Sequence, residues 1–244
     1  MDNPVAHFEN DVLLDNPIWN SLTTGNAHLA AGEHVGHGLA RRYPGDIGPL
    51  SGVREPTSEA FADLAAMIPE GDFAVLFLER SLDIPADWKL LRGGTIIQMV
   101  CATIPDQPIL DDAIVPLTPT DFPEMMALAE LTEPGPFREH TAQLGEFVGI
   151  RADGRLAAMA GQRLAPDGFT EVSAVCTHPD FRGRGYAKAL VAAVTRNIHA
   201  EGLVPFLTSF ENNIGAIRIY EHVGFVHRRN FQLAVLKPPP PVRQ

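Results

Sequence analysis

A glycine- and arginine-rich stretch is the part of this sequence whose residue types point most directly to chemistry. It consists of Arg182, Gly183, Arg184, Gly185, Tyr186 and Ala187, and it lies where a predicted strand gives way to a predicted helix. Glycines let the backbone approach a ligand closely, and unpaired N–H groups at a helix start attract phosphate. Arginines add charge-assisted hydrogen bonds. The stretch therefore predicts a pyrophosphate site.

Two common nucleotide-binding motifs do not describe this stretch. A dinucleotide site needs G-x-G-x-x-G early in a βαβ unit, with an acidic residue about 20 positions later. A P-loop needs Gly-Lys-Ser/Thr after its first glycine. The stretch matches neither pattern, so the pyrophosphate belongs to another class of ligand.

Two flanking segments narrow the interpretation. Residues 175–179 read Val-Cys-Thr-His-Pro, and residues 213–220 read Asn-Ile-Gly-Ala-Ile-Arg-Ile-Tyr, with Gly224-Phe225 after them. Together with the glycine stretch, which matches Gln/Arg-x-x-Gly-x-Gly/Ala, these segments resemble the motifs of the GNAT N-acetyltransferase superfamily. The resemblance is closest to the FR47-like subgroup and covers roughly residues 112–236.

The resemblance implies acetyl-CoA as cosubstrate and an amine as acceptor, joined by direct attack in a ternary complex. The Val175 N–H is implied to polarise the thioester carbonyl, and Tyr220 is implied to protonate the departing thiolate. The residues implied to contact the cosubstrate are Val175, Cys176, Thr177, Arg182, Gly183, Arg184, Gly185, Tyr186, Ala187, Asn213, Ala216 and Tyr220.

An amine must be neutral to attack a thioester, so a base or a water relay has to remove a proton. Glu171 is the candidate base, because it lies four residues before Val175 and the period-2 alternation of a strand predicts a shared face. Ser173 could position a relay water. Glu133 is the rival base, in a loop that also carries Phe137 and is expected to shape the acceptor pocket.

The surrounding pattern predicts an α/β (α+β) protein. Asp153-Gly154 and Asp167-Gly168 are hairpin signals between three predicted strands. A helix over residues 183–200, a strand over 204–208, a helix over 213–222 and a final strand over 225–236 follow. We expect a catalytic GNAT fold over residues 108–237, a proline-rich tail over 238–244, and a mixed α/β domain over 1–107, which could be a degenerate GNAT-like partner.

Composition limits the function. The net charge is −11, and residues 1–110 hold 6 Lys/Arg against 15 Asp/Glu. An acidic surface repels phosphate backbones, so no nucleic acid partner is expected. We expect a cytoplasmic protein that has no membrane partner and binds no metal, and a homodimer is compatible with the sequence. The alternative function is a non-catalytic acyl-CoA-binding regulatory protein.

Overall fold

The computed structural model describes residues 11–79, 84–103 and 113–240. Its helices are α1 (Val12–Asp15), α2 (Pro17–Thr23), α3 (Ser58–Met67), α4 (Phe122–Thr132), α5 (Tyr186–Ala200) and α6 (Ile214–Val223). Its strands are β1 (Ala40–Arg42), β2 (Ser51–Val53), β3 (Ala74–Leu78), β4 (Lys89–Val100), β5 (Ile114–Pro116), β6 (Phe147–Ala152), β7 (Arg155–Gln162), β8 (Phe169–Thr177), β9 (Val204–Phe210) and β10 (Val226–Lys237). The mixed α/β class is confirmed.

The described chain forms two compact units. Unit A contains residues 97–103, 113–163 and 168–229, and unit B contains residues 11–79, 84–96, 164–167 and 230–240. The dividing points fall inside the long strands β4 and β10, so each strand contributes to both units. The expected boundary between residues 107 and 108 lies outside the described residues, as do residues 241–244 of the expected tail.

Unit A is a twisted sheet with helices on both faces. Its strand order runs β4–β9–β8–β7–β6–β5, with the first residues of β10 beside β4. Strands β5 to β8 pair antiparallel, whereas β8 and β9 pair in parallel. The hairpins predicted at Asp153-Gly154 and Asp167-Gly168 both form. A parallel pair needs a crossover, and α5 supplies it.

Two hydrophobic clusters fix the faces of this sheet. On one face, the predicted stripe of α5 buries Leu190, Val191, Val194 and Ile198 against the sheet and α6. Each such side chain contributes about 1.5–3 kcal/mol when fully buried. On the other face, α4 packs Met125 and Leu128 against Phe147, Met159 and Cys176. Both faces of the sheet are therefore covered by packed helices, and its strand ends can position functional groups.

Unit B is a smaller mixed α/β unit. Helix α3 begins after Thr57, whose hydroxyl accepts the Ala60 N–H. Its Phe61 packs edge-on against Trp88, and β3 pairs antiparallel with the second part of β10. Asn16 precedes α2 without capping it, because its side chain donates to the Val53 carbonyl.

Candidate active site

The candidate site begins where two parallel strands separate. The pairing of β8 with β9 covers only residues 169–171 against 204–206. Strand β8 continues to Thr177 and β9 to Phe210, so the two strands run on for several residues past their last pairing. A gap between strands offers backbone N–H and C=O groups that the sheet itself does not use. An extended chain of a ligand can pair with them.

A β-bulge follows on the other side of β8, in its pairing with β7. Between Ser173 and Cys176 strand β8 gains one residue over β7, and Ala174 takes a left-handed φ of 52°. A bulge shifts the side-chain alternation by one residue. Val175 therefore packs in the same cluster as Val172, while Ala174 packs in the cluster of α4.

The bulge decides two expectations about β8. The expectation that Glu171 and Val175 share a face is wrong, because the extra residue places Val175 on the side opposite to Glu171. Cys176, implied by the resemblance to contact the cosubstrate, has its side chain buried against Met125 and Met159, on the side opposite to Val175.

The glycine stretch forms the turn that starts α5. Gly183 and Gly185 have φ values of 78° and 81°, a left-handed region that favours glycine. A Cβ added to either glycine would meet no described heavy atom within 4 Å, so open space lies over the turn. Gly185 caps a 15-residue helix whose first N–H groups have no intrahelical acceptor. The turn is therefore a cradle of suitable shape and polarity for pyrophosphate.

Other predicted contacts surround the same opening. Arg182 and Arg184 are exposed, and the Arg184 guanidinium lies 5.0 Å from the centre of the Phe181 ring. Tyr186 and Ala187 occupy the first turn of α5. The Thr177 hydroxyl is buried at the end of β8 and has no hydrogen-bond partner in the described chain.

Helix α6 carries the remaining predicted contacts. Asn213 caps it by accepting the Ala216 N–H at 3.4 Å, so its carbonyl oxygen is engaged in the cap. Ala216 is half-buried in the first turn. Tyr220, two turns from the cap, is 9% exposed and packs edge-on against Phe225. Burial raises the pKa of Tyr220 to about 12, and the negative charge of Glu171 adds to the shift. The phenol therefore keeps its proton at neutral pH.

Glu171 lies beside the point where the strands separate, but it is ion-paired. Its carboxylate is fully buried and receives two hydrogen bonds from Arg163, at 2.8 Å from Nε and 2.9 Å from Nη2. The Thr208 hydroxyl donates a third bond at 2.8 Å. Both carboxylate oxygens of Glu171 are therefore engaged by hydrogen bonds from neighbouring side chains. Arg163 and Thr208 are functional candidates that the sequence reasoning missed.

A small, open cleft lies on the α4 side of the bulge. Phe137 and Ser173, both predicted to contact the acceptor, line it together. Glu133 is not among its lining residues; it is exposed and ends α4 in a left-handed conformation with φ 48°. The structure thus brings Phe137 and Ser173 to one surface and leaves Glu133 outside it.

Comparison with known proteins agrees with this architecture. The family model described as FR47-like protein matches residues 147–233. A crystal structure from Novosphingobium aromaticivorans DSM 12444, described as an acetyltransferase from the GNAT family, is 37% identical. The match covers 98% of this chain and 100% of that chain, with a TM-score of 0.84.

More distant structures share the fold alone. A GCN5-related N-acetyltransferase-like protein from Streptococcus suis 89/1591 is 15% identical, with 96% of this chain and 97% of that chain covered and a TM-score of 0.60. A GNAT-family acetyltransferase from Colwellia psychrerythraea is also 15% identical, with coverages of 89% and 96% and a TM-score of 0.52. A search of curated proteins found no match.

The fold and the separated strands define an acyl-CoA N-acyltransferase architecture. The identity over nearly the whole of both chains shows that this protein belongs to the GNAT acetyltransferase family. Members of this family use acetyl-CoA and an acceptor substrate. Within the described residues, no helix combines the length and apolar character needed to cross a membrane.

Proposed function

We propose that the protein transfers the acetyl group of acetyl-CoA to an amine by direct attack in a ternary complex. The observation that carries the proposal is the early end of the β8–β9 pairing, at Glu171 and Phe206, beside a bulge and a glycine turn. These three features give one ligand a slot for an extended arm, a bulged strand near its reactive end and a cradle for its phosphates. The transfer would take place in unit A, which holds all three.

In this mechanism the protein would bind and orient acetyl-CoA and stabilise the negative charge that develops during transfer. The turn around Gly183 and Gly185 would hold the pyrophosphate through backbone N–H groups and the helix dipole. Backbone N–H groups of β8 near Val175 would bond the pantetheine arm and stabilise negative charge on the thioester oxygen. Donors of this kind contribute most when they are fixed before the reaction begins.

Tyr220 would act on the leaving group. Its pKa of about 12 keeps the phenol protonated, whereas a thiol has a pKa near 8.5. Complete proton transfer to the thiolate is therefore uphill by roughly three pKa units. Tyr220 would stabilise the departing thiolate chiefly as a hydrogen-bond donor. The proton released by the amine balances the one that coenzyme A finally takes up.

Two routes for the amine proton follow from the sequence, namely Glu171 itself or a water relay near Ser173. The ion pair with Arg163 favours the relay, because both Glu171 carboxylate oxygens already accept hydrogen bonds from the guanidinium. Glu171 would then keep Thr208 and Arg163 in place beside the reacting groups. This division of roles is our proposal for the site.

The test measures binding and turnover separately. Calorimetry should detect 1:1 binding of acetyl-CoA, and a thiol-detecting assay should show coenzyme A release that depends on an added amine. Binding without release for every amine in a broad library would favour the alternative, a non-catalytic acyl-CoA-binding regulatory protein. No binding of acetyl-CoA at all would refute both functions.

A further inference from the structure

Helix α2 of unit B contacts the loop that follows Arg163. Strand β7 ends at residue 162 and β8 begins at residue 169, so residues 163–168 form the β7–β8 loop, of which residues 164–167 belong to unit B. The Ala165 N–H donates to the Ser21 hydroxyl at 2.8 Å, and the Gly25 N–H donates to the Ala165 carbonyl at 3.1 Å. Both backbone polar groups of Ala165 are therefore bonded to the end of α2 and the turn after it.

A buried hydrogen-bond network fixes Ser21. The Ser21 side chain is fully buried, and its oxygen lies 3.2 Å from the Tyr43 hydroxyl. Tyr43 is also fully buried and accepts a hydrogen bond from the Asn26 side-chain amide at 2.8 Å. Buried polar networks whose members are paired rigidify the structure around them. The oxygen that receives the Ala165 N–H is therefore held in one position.

The loop also fits closely against Gly25. A Cβ at this position would overlap the Ala165 carbonyl oxygen and lie 2.9 Å from the Ala165 Cβ. Glycine, which has no Cβ, permits this approach. Leu164, the neighbour of Ala165, is completely buried as well. The loop therefore cannot shift at Ala165 without losing hydrogen bonds or exposing an apolar side chain.

Arg163 lies at the start of the same loop and connects it to the candidate site. Its main-chain N–H donates to the Glu171 carbonyl at 3.1 Å, and its guanidinium donates to both oxygens of the Glu171 carboxylate. Two residues of chain span at most about 7 Å, and Leu164 is the single residue between Arg163 and Ala165. A displacement of Ala165 therefore moves the Arg163 backbone that supports the ion pair.

We propose that Ser21 is a positioning residue for acetyl transfer. By holding Ala165 it keeps Arg163, and through Arg163 the Glu171 carboxylate, in place where β8 and β9 separate. The inference rests on the proposed acetyl transfer, in which this ion pair lies beside the reacting groups. It assigns unit B a role in the reaction that requires no contact with acetyl-CoA.

The first experiment follows the ion pair without turnover, in the full-length protein. Nuclear magnetic resonance measures hydrogen exchange of the Ala165 main-chain N–H and of the Arg163 Nε–H. Ser21→Ala removes the acceptor of the first group and should speed exchange of both groups at least tenfold. The control Thr23→Ala removes a hydroxyl that bonds a carbonyl of its own helix at 2.9 Å, and it should leave both rates as in the wild type.

A third exchange rate separates local from global effects. The Val191 amide lies in the middle of α5 and reports opening of the core of unit A. Its exchange rate should be unchanged in Ser21→Ala. Faster exchange at Ala165, with Arg163 as in the wild type, would overturn the inference. An equal acceleration at Val191 would also overturn it, because Ser21 would then act only through the stability of the whole protein.

The second experiment measures turnover with the amine that gives the highest kcat/KM in the coenzyme A release screen. Ser21→Ala should lower kcat at least threefold and leave the acetyl-CoA affinity within twofold of the wild-type value. The same change is then made in Glu171→Gln, where the guanidinium has already lost its counter-ion. Effects that act through one pair are not additive, whereas independent effects are. Ser21→Ala should therefore lower kcat less than about 1.5-fold in that background, and an equal fold loss in both backgrounds would overturn the inference.

Binding distinguishes failure of this inference from failure of the proposed function. Normal acetyl-CoA affinity and turnover, together with additive effects of Ser21→Ala and Glu171→Gln, refute the positioning role alone. Absence of acetyl-CoA binding, or of coenzyme A release with every amine, refutes the proposed function and, with it, the positioning role. In that case the exchange rates still show whether Ser21 holds Arg163 in place.

Discussion

The Arg163–Glu171 pair permits a prediction that separates structural from catalytic roles. In Glu171→Gln the guanidinium loses its counter-ion while Gln keeps one acceptor oxygen. Removing one partner of a buried ion pair costs about 3–5 kcal/mol, and the retained acceptor places this variant near 3 kcal/mol. For a chain of this size, about 3 kcal/mol corresponds to a fall in Tm of roughly 6–12 °C.

Thermal unfolding followed by circular dichroism measures this loss. The control replaces both partners, Arg163→Met with Glu171→Met, because a well-packed apolar pair is often as stable as the ion pair it replaces. The double variant should recover most of the lost Tm. A Tm for Glu171→Gln within 2 °C of the wild-type value would refute the idea that the Arg163–Glu171 ion pair stabilises the fold.

Activity measured well below the Tm tests the second role. Loss of a general base typically lowers turnover by about 10²–10⁴-fold. If a water relay removes the amine proton, Glu171→Gln should lose less than about tenfold at a temperature where it is fully folded. A loss of a hundredfold or more in the folded variant, with unchanged acetyl-CoA affinity, would restore Glu171 as the direct base.

Three further predictions address the cosubstrate side. Tyr220→Phe should lower kcat by about 10²–10³-fold with unchanged acetyl-CoA affinity, because one fixed hydrogen-bond donor to the thiolate is lost; normal turnover in the variant would exclude this role. Because the pKa of Tyr220 rises from 10 in the unfolded chain to about 12 in the folded one, the free energy of unfolding of the wild type should fall as pH rises from about 10 to 12. Gly185→Asp should abolish acetyl-CoA binding in calorimetry. The control Gly202→Asp, with a similar φ of 78° at the other end of α5, should bind acetyl-CoA normally. Equal losses of affinity in the two variants would show that misfolding, rather than a blocked phosphate site, abolishes binding. Ala174→Val should lower the free energy of unfolding by about 1–3 kcal/mol and weaken acetyl-CoA binding, because a β-branched residue is strained at φ 52°, whereas Ala174→Gly should keep the bulge. A higher free energy of unfolding for the Val variant than for the Gly variant in denaturant titrations would contradict this.

The fold of unit A was largely predictable from local patterns. Two Asp-Gly turns mark its hairpins, and the apolar stripe of α5 marks the face that packs on the sheet. Strand β8 spans residues 169–177 as predicted. These features are local in sequence, and so a single chain reveals them. In contrast, the way residues 164–167 and 230–240 join unit B depends on contacts between distant segments.

The environment of Glu171 was harder to predict. Arg163 lies eight residues earlier, and the two residues are near-symmetric about the Asp167-Gly168 turn. In an antiparallel hairpin such positions are cross-strand neighbours, so their opposite charges were a usable signal for the ion pair. Thr208 gave no such signal, because it reaches Glu171 through the parallel pairing of β9 with β8.

The bulge at Ala174 shows why a correct strand can still mislead about side-chain direction. Residues 172–177 carry no Gly or Pro to mark an irregularity, so the sequence favours uninterrupted alternation. The backbone nevertheless takes φ 52° at Ala174, a strained choice for a residue with a Cβ. Strain of this kind persists where the surrounding structure enforces it, and here it accompanies the end of pairing with β9. The irregularity that changes the side-chain alternation therefore lies within three residues of the point where β8 and β9 stop pairing.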